Sequence, residues 1–179
     1  MLFNNIFTII VVASVATLVH GIDLCAWPSA NSCSGIATCC FGVAKNACCG
    51  NLIQTVGFSV SYRPLESAVA FGQAWTSSNC GAGPIGTNQV GPGDRCWTGL
   101  GVKANSIAWA NFGDARRAAA ERNFTETVSP NAFVFSNKGV EKAIRIPEYS
   151  GAIDTLIELY QKGDFATLEG YETIERTEV

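Results

Sequence analysis

Thiol chemistry is the first that this sequence offers. Eight cysteines fall in one window, Cys25, Cys33, Cys39, Cys40, Cys48, Cys49, Cys80 and Cys96. A thiolate zinc site usually presents a C-x2-C knuckle so that two sulfurs meet one ion. The intervals here are seven, five, zero, seven, zero, thirty and fifteen residues, with no knuckle among them. No metal site and no cofactor are therefore expected, and an even set of this density reads as four disulfides. Adjacent cysteines rarely bond each other because the small ring is strained, so each CC dipeptide is expected to send its two bridges to different partners. Residues 39–49 then form a hub, although the spacing does not choose among the pairings.

Other chemistries are thinly supplied. The single histidine is His20, and it lies in a segment expected to be removed. Without imidazole, Ser-His-Asp and Cys-His hydrolase arrangements and histidine-ligated metals are excluded for a chain acting alone. Glu66 and Asp94 are the carboxylates well inside the cysteine-rich region, so a glycosidase-like pair would have to use them. Catalytic residues are expected to be none. Trp75, Trp97 and Trp109 are candidates for a ligand platform, against the alternative that an indole in a stapled domain packs in the core. Asn123-Phe124-Thr125 is an N-glycosylation sequon, and Arg117, at the end of the Arg116-Arg117 pair, is a candidate processing site.

Export follows from the other end of the chain. Residues Ile6 to Val19 form an apolar stretch of 14 residues, long enough for a signal-peptide core and short of the roughly 20 that span a membrane. Residues 1–21 are read as a signal peptide, cleaved after Gly21, which leaves a secreted, extracellular product with no membrane span in the mature chain. Composition then changes near residue 112. Residues 22–110 carry Asp23, Glu66 and Asp94 against Lys45, Arg63, Arg95 and Lys103, whereas residues 111–179 carry twelve acidic against eight basic side chains. The expected division is a cysteine-rich β domain over 22–112 and a charged α/β segment over 113–179. With a slightly acidic balance and no long basic cluster, nucleic acid is not an expected partner.

These side chains must be positioned by short elements. Val56, Phe58, Val60 and Tyr62 alternate with small residues, and so do Val69, Phe71, Gln73 and Trp75; the two-residue period predicts two strands, paired antiparallel through the turn Arg63 to Ser67. Further strands are expected near Arg95 to Thr98 and Ile107 to Phe112. Between Gly81 and Gly101 seven glycines and two prolines predict a long loop pinned by Cys80 and Cys96. Beyond it, Asp114 caps a short helix over 115–122. A hairpin joins Ala132–Ser136 to Val140–Ile146 through Gly139, and Ser150 caps a helix that Gly163 ends. Asp164 caps one more turn through Leu168, and residues 169–179 are expected to fray. The fold class is thus α+β, a small disulfide-stapled antiparallel β domain followed by a polar segment with a β-hairpin and short helices.

The leader, the two CC dipeptides and the stretch SVSYRPLESAVAFGQAWTSSNCG together resemble the small secreted cysteine-rich, effector-like proteins of filamentous fungi, over roughly residues 1–112. Hydrophobins also carry two CC pairs among eight cysteines, but in a different order of singles and pairs. The resemblance implies a non-enzymatic protein acting at the fungal surface or on another organism. The expected function is a secreted effector or interaction protein, whose partner is an unknown extracellular protein or a wall polysaccharide. An antimicrobial or toxin-like protein and a carbohydrate-binding cell-wall protein are the alternatives.

Overall fold

The computed structural model describes residues 21–63, 70–81, 83–90, 93–111, 124 and 126–174. The leader over 1–20, the turn residues 64–67 and the helix expected over 115–122 lie outside them. Among the described residues the strands are β1 (Ile22–Trp27), β2 (Ile36–Val43), β3 (Cys48–Cys49), β4 (Ser59–Arg63), β5 (Ala70–Trp75), β6 (Gly86–Val90), β7 (Arg95–Trp97), β8 (Ser106–Asn111), β9 (Thr127–Val128), β10 (Ala132–Asn137) and β11 (Val140–Arg145). The helices are α1 (Ala152–Lys162) and α2 (Phe165–Leu168). None of them is long and apolar enough to cross a membrane. The α+β expectation therefore holds only coarsely: the described residues are mostly β, with two short helices among them.

The two alternating runs of the sequence do become strands, β4 and β5, but they do not pair. β4 lies between β1 and β7 in a six-stranded antiparallel sheet of order β11-β10-β2-β1-β4-β7. β5 lies between β6 and β8 in a five-stranded sheet of order β6-β5-β8-β3-β9, antiparallel except where β3 meets β9. Alternation reports a buried face and not the neighbour along the edge. Here the two buried faces meet each other, and Leu24, Val60 and Tyr62 of the first sheet pack with Ala70, Ala74, Ile107 and Trp109 of the second. Phe58 departs from the expected pattern. Gly57 and Phe58 both donate their N–H groups to Trp27 O, at 2.9 and 3.0 Å, and this turn leaves Phe58 exposed.

Tyr62 packs directly on the backbone of the other sheet. Its ring lies flat against β5 where residue 72 has no side chain, and a Cβ built on Gly72 would overlap it. The hydroxyl donates to Gln73 O at 3.3 Å. Full burial drives the phenol's pKa well above its ordinary value, so the ring stays neutral. The glycine-rich segment between 81 and 101 also differs from expectation. It contains β6, which pairs with β5 from Ala70↔Val90 to Ala74↔Gly86, because ladder hydrogen bonds reward an extended backbone even where propensity is low.

Bridge geometry follows from strand alternation. Successive side chains in a strand point to opposite faces, so each CC dipeptide places one sulfur on either side of its sheet. Cys40 and Cys49 face inward and bond across the core, tying β2 of one sheet to β3 of the other. Their neighbours face outward. Cys39 bonds Cys25, its register partner on β1, and Cys48 bonds Cys80 beyond β5. Cys33–Cys96 joins the loop after β1 to β7.

The charged segment continues the first sheet. β10 pairs with β2, from Ala132↔Cys39 to Phe135↔Ile36, and with β11 through the two-residue turn Lys138-Gly139, where φ is 52° and 80°. Positive φ at both positions is the twist that a short hairpin requires. Phe133 and Ile144, register partners on one face, bury with Phe135, Leu156, Ile157 and Leu168. The helices therefore cover the sheet where the second sheet does not reach. The N-cap of α1 is Gly151 with no side-chain bond, not Ser150, while Gly163 and Asp164 act as expected. Residues 172–174 do not fray. They pair with β11 through Arg145 N→Glu172 O at 2.8 Å and Ile174 N→Ala143 O at 3.0 Å, so the outer edge of the sheet is covered.

Gly72→Ala should force the sheets apart at Tyr62 and lower the unfolding free energy by about 1–3 kcal/mol, as overpacking of a filled core does. Urea unfolding checks this, with a reduced midpoint expected.

Candidate functional site

On the central strands β1, β2, β4 and β10 most outward positions are buried as deeply as the inward ones. Cys25, Trp27, Ala37, Cys39, Ala132, Val134 and Ala143 form a second apolar cluster there, with Cys33, Phe41 and Ile174 packed on it. Trp27 Nε1 donates to Ser61 Oγ at 2.9 Å, and Ser59 Oγ donates to Ser32 O at 2.8 Å, so both serines are engaged beneath the loop that carries Cys33. Asp23 Oδ1 accepts from Gly42 N at 3.0 Å, holding the irregular step where β1 and β2 shift register.

Arg63 gathers this face together. In the sheet order β1, β2 and β10 separate β4 from β11, so on a flat sheet the two would lie about 19 Å apart. Yet Arg63 Nη1 donates to Glu141 Oε1 at 2.9 Å and Oε2 at 3.1 Å. The sheet is therefore rolled about Trp27, and the guanidinium is the clasp of the roll. Its carbon sits 5.2 Å from the Trp27 ring centroid, a cation–π contact, and its Nε is 3.6 Å from Asp94 Oδ2, just ahead of β7. One cation thus touches both ends of the curled sheet. Burial lowers the Arg63 pKa, opposed by Asp94 and then Asp23, and a guanidinium remains charged throughout the physiological range. Beside Glu141 an open groove of about 350 Å³ is lined by Glu141, Lys142, Ala143, Thr173 and Ile174.

The residues singled out in the sequence fall in different places. Trp75 is buried against Cys48 and Cys80 with Phe124 edge-on at 5.2 Å, and Trp109 is buried with Nε1 donating to Val43 O at 2.9 Å. Neither presents a face to a ligand, since both fill core positions on β5 and β8. Trp97 is half-buried over the Gly86 backbone and keeps part of its ring at the surface. Asp94 is a partner of Arg63, and Gly21 packs on the Gly42 backbone. Glu66, Arg117 and Asn123 lie outside the described residues. Sequence reasoning misses Arg63 and Glu141; the available signal for Arg63 is that one of few cations in the weakly charged half ends an alternating strand.

A family model described as ARB_05566_N, N-terminal domain, matches residues 23–132. The match contains all eight cysteines and the whole second sheet, and it stops at the first residue of β10. No curated protein and no solved structure matches the chain.

A double-mutant cycle on Arg63→Ala and Glu141→Ala should give a coupling of about 1–2 kcal/mol, between an exposed pair and a charged hydrogen bond. The coupling should shrink as salt rises. Arg63→Lys should not restore it, because a single ammonium nitrogen cannot face Glu141 and Asp94 from two separate atoms while a planar group lies over Trp27.

Proposed function

The chain belongs to the ARB_05566_N family, and we propose that it works outside the cell as a non-enzymatic interaction protein, effector-like in kind. The observation that carries this reading is the seam of the rolled sheet. Its reactive side chains are engaged with one another: Arg63 with Glu141 and Asp94, Ser61 with Trp27, Ser59 with Ser32. An arrangement of this kind fixes shape. It offers a partner a rigid surface rather than a nucleophile with a base beside it. Four disulfides in a domain of this size are typical of extracellular proteins, where thiols stay oxidised. The partly buried Trp97 favours, as a second reading, stacking on a wall polysaccharide.

Incubating the secreted chain with chitin, β-glucan, fluorogenic glycosides, peptides and growing microbes separates these readings. No turnover and no growth arrest are expected. Turnover abolished by Asp94→Asn overturns the non-enzymatic reading, growth arrest supports the antimicrobial alternative, and polymer retention lost in Trp97→Ala supports the carbohydrate one. Intact mass of the secreted material should show a start at Ile22, four missing hydrogen pairs and a glycan on Asn123.

A further inference from the structure

The four bridges differ sharply in access. Cys25, Cys39, Cys48 and Cys49 are fully buried, and Cys40 and Cys80 are each 1% exposed. Cys33 is half-buried and Cys96 is exposed. Cys96 sits on β7, the outermost strand at one end of the first sheet, held by three register pairs, Val60↔Trp97, Ser61↔Cys96 and Tyr62↔Arg95. Its partner Cys33 sits on a loop fastened by Gly99 N→Ala30 O at 3.1 Å and Ser59 Oγ→Ser32 O at 2.8 Å. A thiolate reaches a disulfide sulfur only if it can approach it, so exchange rate follows exposure as well as the chemistry of the thiols. Buried bridges must wait for the structure to open.

We propose that Cys33–Cys96 is a thiol–disulfide exchange site of the folded chain, open to an external dithiol, with Cys96 Sγ as the atom attacked. One thiolate of the dithiol bonds to Cys96 Sγ as the Sγ–Sγ bond breaks. Cys33 leaves as a thiolate and takes a proton from solvent, its sulfur 3.3 Å from Val60 O, which accepts the new S–H. The second thiolate of the same reductant then bonds to the reductant sulfur held on Cys96, the bond to Cys96 Sγ breaks, and Cys96 leaves as a thiolate that takes a proton from solvent. The products are two cysteine thiols and one oxidised dithiol, a balanced two-electron exchange.

The consequence is local. β7 loses its covalent tie to the loop that covers Trp27, Ser59 and Ser61, and the β4 edge behind it is released to open. The other three bridges stay closed, and with them the contact between the sheets. The site is thus a redox-sensitive fastening over the Trp27 cluster, separate from the bridge that holds the core.

The test treats the native chain with limiting dithiothreitol, without denaturant, quenches by alkylation at intervals and maps the labelled peptides. Cys33 and Cys96 should be labelled together and at least about tenfold faster than the other six. Amides of β4 and β7 should exchange faster with deuterium in the partly reduced form, while the far-ultraviolet circular dichroism stays unchanged. Labelling of all eight at one rate, or of another pair first, overturns the proposal. In the Cys33→Ser/Cys96→Ser variant the fast phase should vanish and the slow phase remain. Should that variant fail to fold, the labelling order in the native chain decides alone.

Discussion

Two adjacent cysteines in a strand cannot face the same way, and the architecture of this protein depends on that constraint. Cys39 and Cys40 on β2, and Cys48 and Cys49 on β3, each divide between the two sides of a sheet. The inward members meet as Cys40–Cys49, fixing β2 over β3 through the core. Around that tie, Tyr62 settles onto the bare backbone at Gly72, and the sheets close to a distance that a larger residue would not allow. The outward members staple each layer to its own surroundings. A bridge closing a loop of nine residues restricts the unfolded chain less than one closing 63. The weight of Cys40–Cys49 is therefore positional: it selects which faces meet.

The first sheet then does something that a flat sandwich does not. It rolls, so that its central strands are buried on both faces, one against the second sheet and the helices, the other about Trp27. This explains why Ser59 and Ser61, small and polar on the face expected to meet water, are buried. It also explains how two segments of opposite compositional character come together. Arg63, from the weakly charged half, pairs with Glu141 of the acidic half, while Lys142–Glu169 and Arg145–Glu172 fasten the hairpin to the segment that follows α1. The acidic surplus beyond residue 111 supplies the partner for a cation that the cysteine-rich half holds on its edge.

Local pattern was legible where one element decides its own conformation. The strands β4, β5, β7, β8, β10 and β11, the Gly139 turn, and the α1 stop at Gly163 followed from period and punctuation. Partner choice did not. The Val60 and Tyr62 alternation says that one face is buried, and both a hairpin and a face-to-face contact satisfy it, so the pattern suggests neighbours where β4 and β5 stack. β6 is hidden because Gly86 and the flanking Pro84 and Pro92 set the local propensity low while β5 supplies its ladder. The Arg63 clasp was illegible for a different reason. It joins residues 78 apart in sequence, through a curl that no single strand encodes. Trp75 and Trp109 differ from Trp97 only in where their strands lie, which sequence spacing does not report.

The central claim, that alternation sends the paired cysteines to opposite faces and carries one bridge through the core, is tested most directly by disulfide mapping. Peptides of the unreduced native chain, fragmented by electron transfer to resolve bonds within each CC dipeptide, should give Cys25–Cys39, Cys33–Cys96, Cys40–Cys49 and Cys48–Cys80 with no free thiol. A bond from Cys39 to Cys48 or Cys49, or Cys40 joined to any residue other than Cys49, would contradict it.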